Sequence, residues 1–255
     1  MNYASALTNS QWQFIEHLFN NERKRKHCLR SILDAIFYLL KTGCQWRMLP
    51  KEYAPWQSVY YYYRKWKGDG LIEEVLDFLR EKERKKHGKE KTPSAAIIDS
   101  QSVKTASKAI DKGYDGNKKI KGRKRHIAVD TLGILLAVVV HSATVHDSQK
   151  AMALLGKLKH YFHRLKVIFA DSAYIGELKD KVKKAFGWTL IVIKREQQQN
   201  KPGFTPLPKR WIVERTFGWI ERHRRLAIDY EYLTDTSETM VQLAMIRILL
   251  NRIIH

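Results

Sequence analysis

Two short apolar runs each end on an aspartate, and this feature most narrows what the chain can become. "AAII" at 95–98 leads into Asp99, and "VIFA" at 167–170 leads into Asp171. Short apolar runs bounded by polar stretches read as buried strands. A carboxylate at the end of such a strand is costly unless its charge is compensated. Two of these strands in one sheet can bring their carboxylates together, and close carboxylates repel unless a cation lies between them. Hard oxygen donors suit Mg²⁺ or Mn²⁺. The alternative is that each aspartate caps the turn or helix that follows, since Ser100 and Ser172 come directly after them.

The surrounding pattern supplies a sheet for those strands. After "SAAIIDSQSV", the runs "KRHIAVDTLG" and "ILLAVVVHSAT" meet at Gly133 and read as a hairpin. A helix (148–162), a strand (165–174), a helix (175–187) and a strand (188–196) follow. A polar loop, 197–208, leads to a basic helix at 210–226 and a final helix at 237–254. Strands mixed with helices in this order imply an α/β (α+β) fold with a mixed sheet covered by helices. Residues 1–92 read differently, as four short helices fading into a charged linker at 81–92. Asn9 or Ser10 is the expected cap of the first helix. Pro55 opens the third, "PWQSVYYYYRKWK", which resembles the basic helix of a helix-turn-helix module. Two domains are therefore expected, 1–92 and 93–255.

Charge points to the partner. Lys plus Arg number 47 against 26 acids, a net +21. A chain this basic usually meets a polyanion. The excess is shared, about +7 in 1–92 and +14 in the remainder. Candidate contacts with double-stranded DNA are Arg64 and Lys65 on the third helix, and the run "KKIKGRKR". That run holds Lys118, Lys119, Lys121, Arg123, Lys124 and Arg125, read as an exposed basic loop. The helix "RWIVERTFGWIERHRRL" adds Arg210, Arg215, Arg222 and Arg225. On it Val213, Phe217 and Ile220 share an apolar face. Glu214 lies on the adjacent face with Gly218, which leaves space one turn on. Glu214 is thus the candidate third metal ligand. His126 and His146 read as structural, and Trp211 and Trp219 as core. No apolar run is long enough for a membrane span, the opening "MNYASALTNSQWQF" lacks signal-peptide order, and Cys28 and Cys44 are too few for a disulfide framework. A cytoplasmic protein is expected.

Asp99 in "IIDSQSVKTA", Asp171 in "FADSAYIG" and Glu214 in "RWIVERTFGWIERHRRL" resemble the catalytic triad of DDE transposases. The likeness is to the bacterial insertion-sequence-5 family, related to the insertion-sequence-4 group. "GYDGNKKIKGRKRHIAVDTLG", "VHDS" and "GCQWRMLP" extend it over nearly the whole chain. The resemblance implies a ribonuclease-H-like core without a large β insertion before the last helices. In the wider group's signature, Arg210 and Glu214 fit, Leu207 stands at the tyrosine and Glu221 at the lysine position. The implied chemistry is two-metal phosphoryl transfer on DNA, Asp99 bridging two Mg²⁺ ions ~4 Å apart with Asp171 and Glu214 on one each. Mn²⁺ is expected to substitute. A homodimer on DNA is expected, because two element ends must be held together. The rival readings are a catalytically silent DNA-binding regulator and a nuclease that cuts without joining.

Overall fold

The computed structural model describes residues 3–19, 24–193 and 209–254. The expected loop at 197–208 lies outside them. The chain divides into two units: Met1–Lys89 with Ile220–Ile228 and Thr239–His255, and Glu90–Trp219 with Asp229–Glu238. A boundary at 92/93 puts 220–228 and 239–255 with the sheet; the structure groups them with the helices.

In the first unit α1 (Asn9–Ile15) is capped by Thr8, not by Asn9 or Ser10. Thr8 and Gln11 cap each other reciprocally, which satisfies two of the backbone donors a helix start leaves open. α2 (Leu29–Thr42) closes on Gly43 at φ +74°, where a side chain would be strained. α3 (Trp56–Gly68) buries Val59, Tyr63 and Trp66 and leaves Tyr60 and Tyr61 exposed. α4 (Leu71–Lys86) ends in a basic turn, where its carbonyls favour cations.

The second unit is built on one six-stranded sheet: β1 (Ala95–Lys104), β2 (Gly113–Asp115), β3 (Ile120–Val129), β4 (Leu135–Ser142), β5 (Val167–Ala170) and β6 (Thr189–Val192). The order is β2-β3-β1-β5-β6, with β4 also on β3. β1, β5 and β6 run parallel, while β3 is antiparallel to β1, β2 and β4. Parallel neighbours need long crossovers. α6 (Leu178–Phe186) supplies the one between β5 and β6, and α5 (Asp147–Lys159) precedes β5. Their apolar faces pack on the sheet: Leu154, Leu155, Leu158 and Val182 against Ile98, Ala128, Ile168 and Leu190, all essentially dry. Each such side chain contributes about 1.5–3 kcal/mol relative to leaving it in water. β3 begins at Ile120, four residues before the expected strand, so the "basic loop" is mostly strand.

The last basic stretch forms two helices. α7 spans Arg210–Glu221 and α8 spans Arg224–Ala227, with His223 extended between them. The break lets Arg225 turn inward and donate to the Cys44 carbonyl at 3.0 Å, within the first unit. α9 (Thr234–Ile253) follows. Among the described residues no helix is long and apolar enough to cross a membrane.

Candidate active site

Strand register sets the two aspartates. β1 and β5 pair as Ala95 with Val167, Ala96 with Ile168 and Ile97 with Phe169. Carried two residues further, that register brings Asp99, midway along β1, level with Asp171, just beyond the carboxyl end of β5. Ligand sites in open α/β sheets commonly form at that end. Asp99 Oδ1 accepts the Ser100 N–H at 2.7 Å. Asp171 Oδ1 accepts the Ala173 N–H at 2.9 Å and caps the short turn Ser172–Tyr174. The capping role weighed for these aspartates is thus present at Asp171, and it uses only one of the two oxygens.

The electrostatics follow from that placement. Burial, and then the negative charge of Asp171, push the Asp99 carboxyl up to about 7; the Ser100 N–H, Arg210 and Lys118 partly oppose this. Arg210 Nη2 lies 3.7 Å from Asp171 Oδ2. Its Nε lies 3.0 Å from Glu214 Oε1, an ion pair whose angle is not that of a hydrogen bond. Glu214 is half exposed. Arg210 therefore stands between Asp171 and Glu214, two of the three carboxylates expected to hold metal.

α7 is seated by a turn far upstream. Thr216 Oγ1 donates to the Gly133 carbonyl at 2.8 Å. A Cβ at Gly133 would come within 2.9 Å of Thr216 Oγ1 and 3.0 Å of the Trp219 ring, so glycine is what lets the helix lie this close. Val213 and Phe217 bury the apolar face. Arg215 is clasped between Trp211 and Trp219, 4.6 Å from each ring centre, and donates to the Leu132 carbonyl. Trp219 packs as expected, whereas Trp211 is 43% exposed.

The basic run is where the sequence reading needs correction. Arg123 is wholly buried. It donates to Ile110 O, Glu231 O and Tyr232 O and pairs with Asp229 at 3.2 Å. Lys124, 7% exposed, lies 3.1 Å from Asp147 Oδ1 and 3.8 Å from Asp115 Oδ2. Arg125 is 1% exposed. These three do not offer their charge to a surface ligand; strand pairing turned them inward, where acids and carbonyls compensate Arg123 and Lys124. Arg225 is buried likewise, and Arg215 is held in its aromatic clasp. Lys118, Lys119, Lys121 and Arg222 remain exposed, as do Arg64 and Lys65 on α3, the last paired with Asp69 at 2.6 Å.

Sequence reasoning missed a buried polar pair beneath the aspartates. Tyr174 Oη and His126 Nε2 lie 2.7 Å apart. Burial drives the His126 ring down to about 3, so it is neutral at ordinary pH. Tyr174 follows Asp171 by three residues, and no sequence period distinguishes it from a core tyrosine. His146 caps α5 through its side chain.

The donor chemistry suits a hard divalent ion in part. Asp99 feels the negative charge of Asp171, and Arg210 and Lys118 offset part of it. Among the described residues, however, no group of three His, Cys, Asp or Glu side chains is arranged to hold a metal. Glu214 is on Arg210 instead.

A mixed sheet with two aspartates where its interior parallel strands adjoin, and a glutamate on a following helix, defines a class, and comparison with known families agrees. The family described as "Transposase DDE domain" matches residues 90–249, well over half of the chain, and the chain belongs to that family. Residues 7–76 match a second family, "Putative transposase of IS4/5 family", which makes this a DDE transposase of the IS4/5 type. The chain is also similar to the "Putative transposase for insertion sequence element IS402" of Burkholderia cepacia, 30% identical over 130 residues, 48% of this chain. It spans 60% of that relative's length.

Proposed function

We propose that the protein binds the terminal inverted repeats of its own insertion sequence, cleaves DNA strands there and joins them to target DNA. Asp99, Asp171 and Glu214 are the catalytic carboxylates in this reading. What supports it is the β1–β5 register, whose continuation sets Asp171, just after β5, level with Asp99 on β1, with Glu214 linked to Asp171 through Arg210. Membership of the transposase family supports DNA as substrate. The sheet unit is read as a ribonuclease-H-like core, and the helical unit as the end-recognition module, with Arg64 and Lys65 on phosphate. A homodimer in the bacterial cytoplasm, associated with the nucleoid, completes the reading.

In cleavage, a water oxygen bonds to phosphorus as the phosphorus–sugar-oxygen bond breaks; water gives up a proton, and the departing oxygen takes one. In joining, the freed DNA hydroxyl replaces water. Asp99 and Asp171, with Glu214, would hold the divalent ions, Mg²⁺ or Mn²⁺, which supply Lewis-acid polarisation of the phosphoryl oxygens when bound. Arg210, on Asp171 and Glu214, would add positive charge beside the reacting phosphate. The His126–Tyr174 pair fixes the turn that carries Asp171. Lys118, Lys119, Lys121 and Arg222 are exposed and would add to the contacts of Arg64 and Lys65 with the DNA backbone.

The test is Asp99→Ala on a supercoiled plasmid carrying the gene and its flanking DNA. Mg²⁺-dependent cleavage should vanish while gel-shift binding persists. Cleavage that survives would refute the triad. Cutting by the wild type with no joined product from pre-cleaved ends would favour a plain nuclease.

A further inference from the structure

The hairpin between β2 and β3 carries a lysine toward the aspartate pair, and its construction is specific. Asp115, at the end of β2, is buried. Its Oδ1 accepts the backbone N–H groups of Asn117 and Lys118, both at 3.1 Å. Its Oδ2 accepts the Ser102 hydroxyl of β1 at 2.6 Å. One buried carboxylate thus shapes the tip and ties it to the strand that bears Asp99. The tip also holds Lys119 at φ +53°, a conformation that side chains seldom adopt. From this tip Lys118 reaches across, and its Nζ donates to the Ser100 carbonyl at 3.1 Å, one residue beyond Asp99.

The charge at that position is not spent. Lys124 is on Asp147 and Asp115, Arg123 is on Asp229, and Arg210 is on Asp171 and Glu214. Among the described residues no carboxylate lies within ion-pair distance of the Lys118 ammonium, whose one hydrogen-bond acceptor is a neutral carbonyl. Its field nevertheless reaches Asp99 and favours that carboxylate's charged form. An anchored ammonium without a counter-ion, beside a carboxylate pair, is complementary to an anion brought up to that pair.

We propose that Lys118 contacts the reacting phosphate itself, donating to a non-bridging oxygen of the DNA phosphodiester as charge builds on it. This deepens the function proposed above and rests on it. The lysine transfers no proton; it supplies a fixed positive charge that binds the crowded transition state better than the ground state. A lysine in an ordinary turn would contact DNA backbone at random and would affect binding and rate alike.

The experiment compares wild type, Lys118→Gln and Lys118→Arg on the same plasmid, and then on a synthetic duplex bearing a methylphosphonate at the mapped cut. Loss of one preorganised donor to a transition-state oxygen costs about 100- to 1000-fold in rate. Lys118→Gln should show that loss with gel-shift affinity nearly unchanged, and Lys118→Arg should recover part of the rate. The methylphosphonate removes the negative oxygen, so it should slow the wild type strongly and add little to the Lys118→Gln defect. A melting curve for both variants checks folding, and the arginine variant, which keeps the charge, carries the test if glutamine unsettles the hairpin. Wild-type cleavage with an equally active Lys118→Gln overturns this proposal alone. So do equal losses of binding and rate, or additive effects of the variant and the methylphosphonate. A wild type that cuts nothing overturns the transposase reading and this proposal with it.

Discussion

Arg123 gives the sharpest separation between a basic residue used inside the protein and one used on DNA. Its guanidinium is fully enclosed and shared among Asp229, which is 1% exposed, and the carbonyls of Ile110, Glu231 and Tyr232. Arg123→Met fills most of the volume, so the cavity contribution is small. It leaves the Asp229 carboxylate buried without its cation, although the Ser237 hydroxyl and the Glu231 N–H still donate to it. Breaking one side of a buried ion pair costs about 3–5 kcal/mol. That is a large share of the roughly 5–15 kcal/mol that holds a domain folded. At this chain length each kcal/mol moves the melting temperature by about 2–4 °C, so the transition of the sheet unit should fall by about 6–20 °C. Circular dichroism against temperature measures this. Gel shifts well below the melt should show DNA affinity within about threefold of wild type, since no phosphate contact is lost. Arg123→Met combined with Asp229→Leu should be less damaging than Arg123→Met alone, because the stranded charge is gone. A variant that melts like wild type yet binds DNA at least tenfold more weakly would refute the reasoning and return Arg123 to the DNA surface.

Asp99 makes stability fall with pH in metal-free buffer. Its folded carboxyl titrates at about 7 against roughly 3.9 when unfolded. Between about pH 4 and 7 the unfolded state therefore holds fewer protons, and unfolding free energy declines by a few kcal/mol over that window. Urea unfolding in EDTA should show the decline, and Asp99→Asn should flatten it. Gly122→Ala should destabilise the sheet by about 3 kcal/mol or more, because the added Cβ would fall on the Val103 carbonyl, which is backbone and cannot swing aside; an unchanged urea midpoint would contradict the strand packing. Arg210→Gln should bind Mn²⁺ more tightly than wild type in the absence of DNA, as read by calorimetry, since the cation between Asp171 and Glu214 is removed. Equal affinity would mean that Arg210 does not compete with the metal.

Asp99 and Asp171 were legible because their signal is local: an apolar run that stops on a charge can be seen in five residues. Glu214 was legible through helix periodicity, but its pairing with Arg210 was not, since helix spacing permits the contact without requiring it. The basic run at 118–125 misled for a different reason. Charge density alone does not distinguish a solvated loop from a strand whose cations meet acids elsewhere in the chain. Arg123 finds Asp229 106 residues later, and Lys124 finds Asp147 beyond the next strand. The two-helix form of 210–226 was hidden likewise, because nothing near His223 forbids a helix; the pull comes from Cys44, 181 residues before Arg225. The grouping of the final helix with the amino-terminal helices rests on partners as distant as Gln11 and Asn251.

That last grouping has a consequence for how the protein comes off the ribosome. Arg247 donates to Gln11, and Arg252 accepts a bond from Lys86 through its carbonyl, so the helical unit draws on both extremes of the sequence. Its amino-terminal share is synthesised first and must wait, apolar surfaces uncovered, for about 140 residues of sheet unit to be made before Val241, Met245 and Leu249 arrive. A messenger cut short before that point yields a helical unit without its last layer, even when all three acidic residues have been translated. Premature stops late in the reading frame should therefore give insoluble chains rather than shortened cutters, and expressing residues 1–92 alone should fail for the same reason.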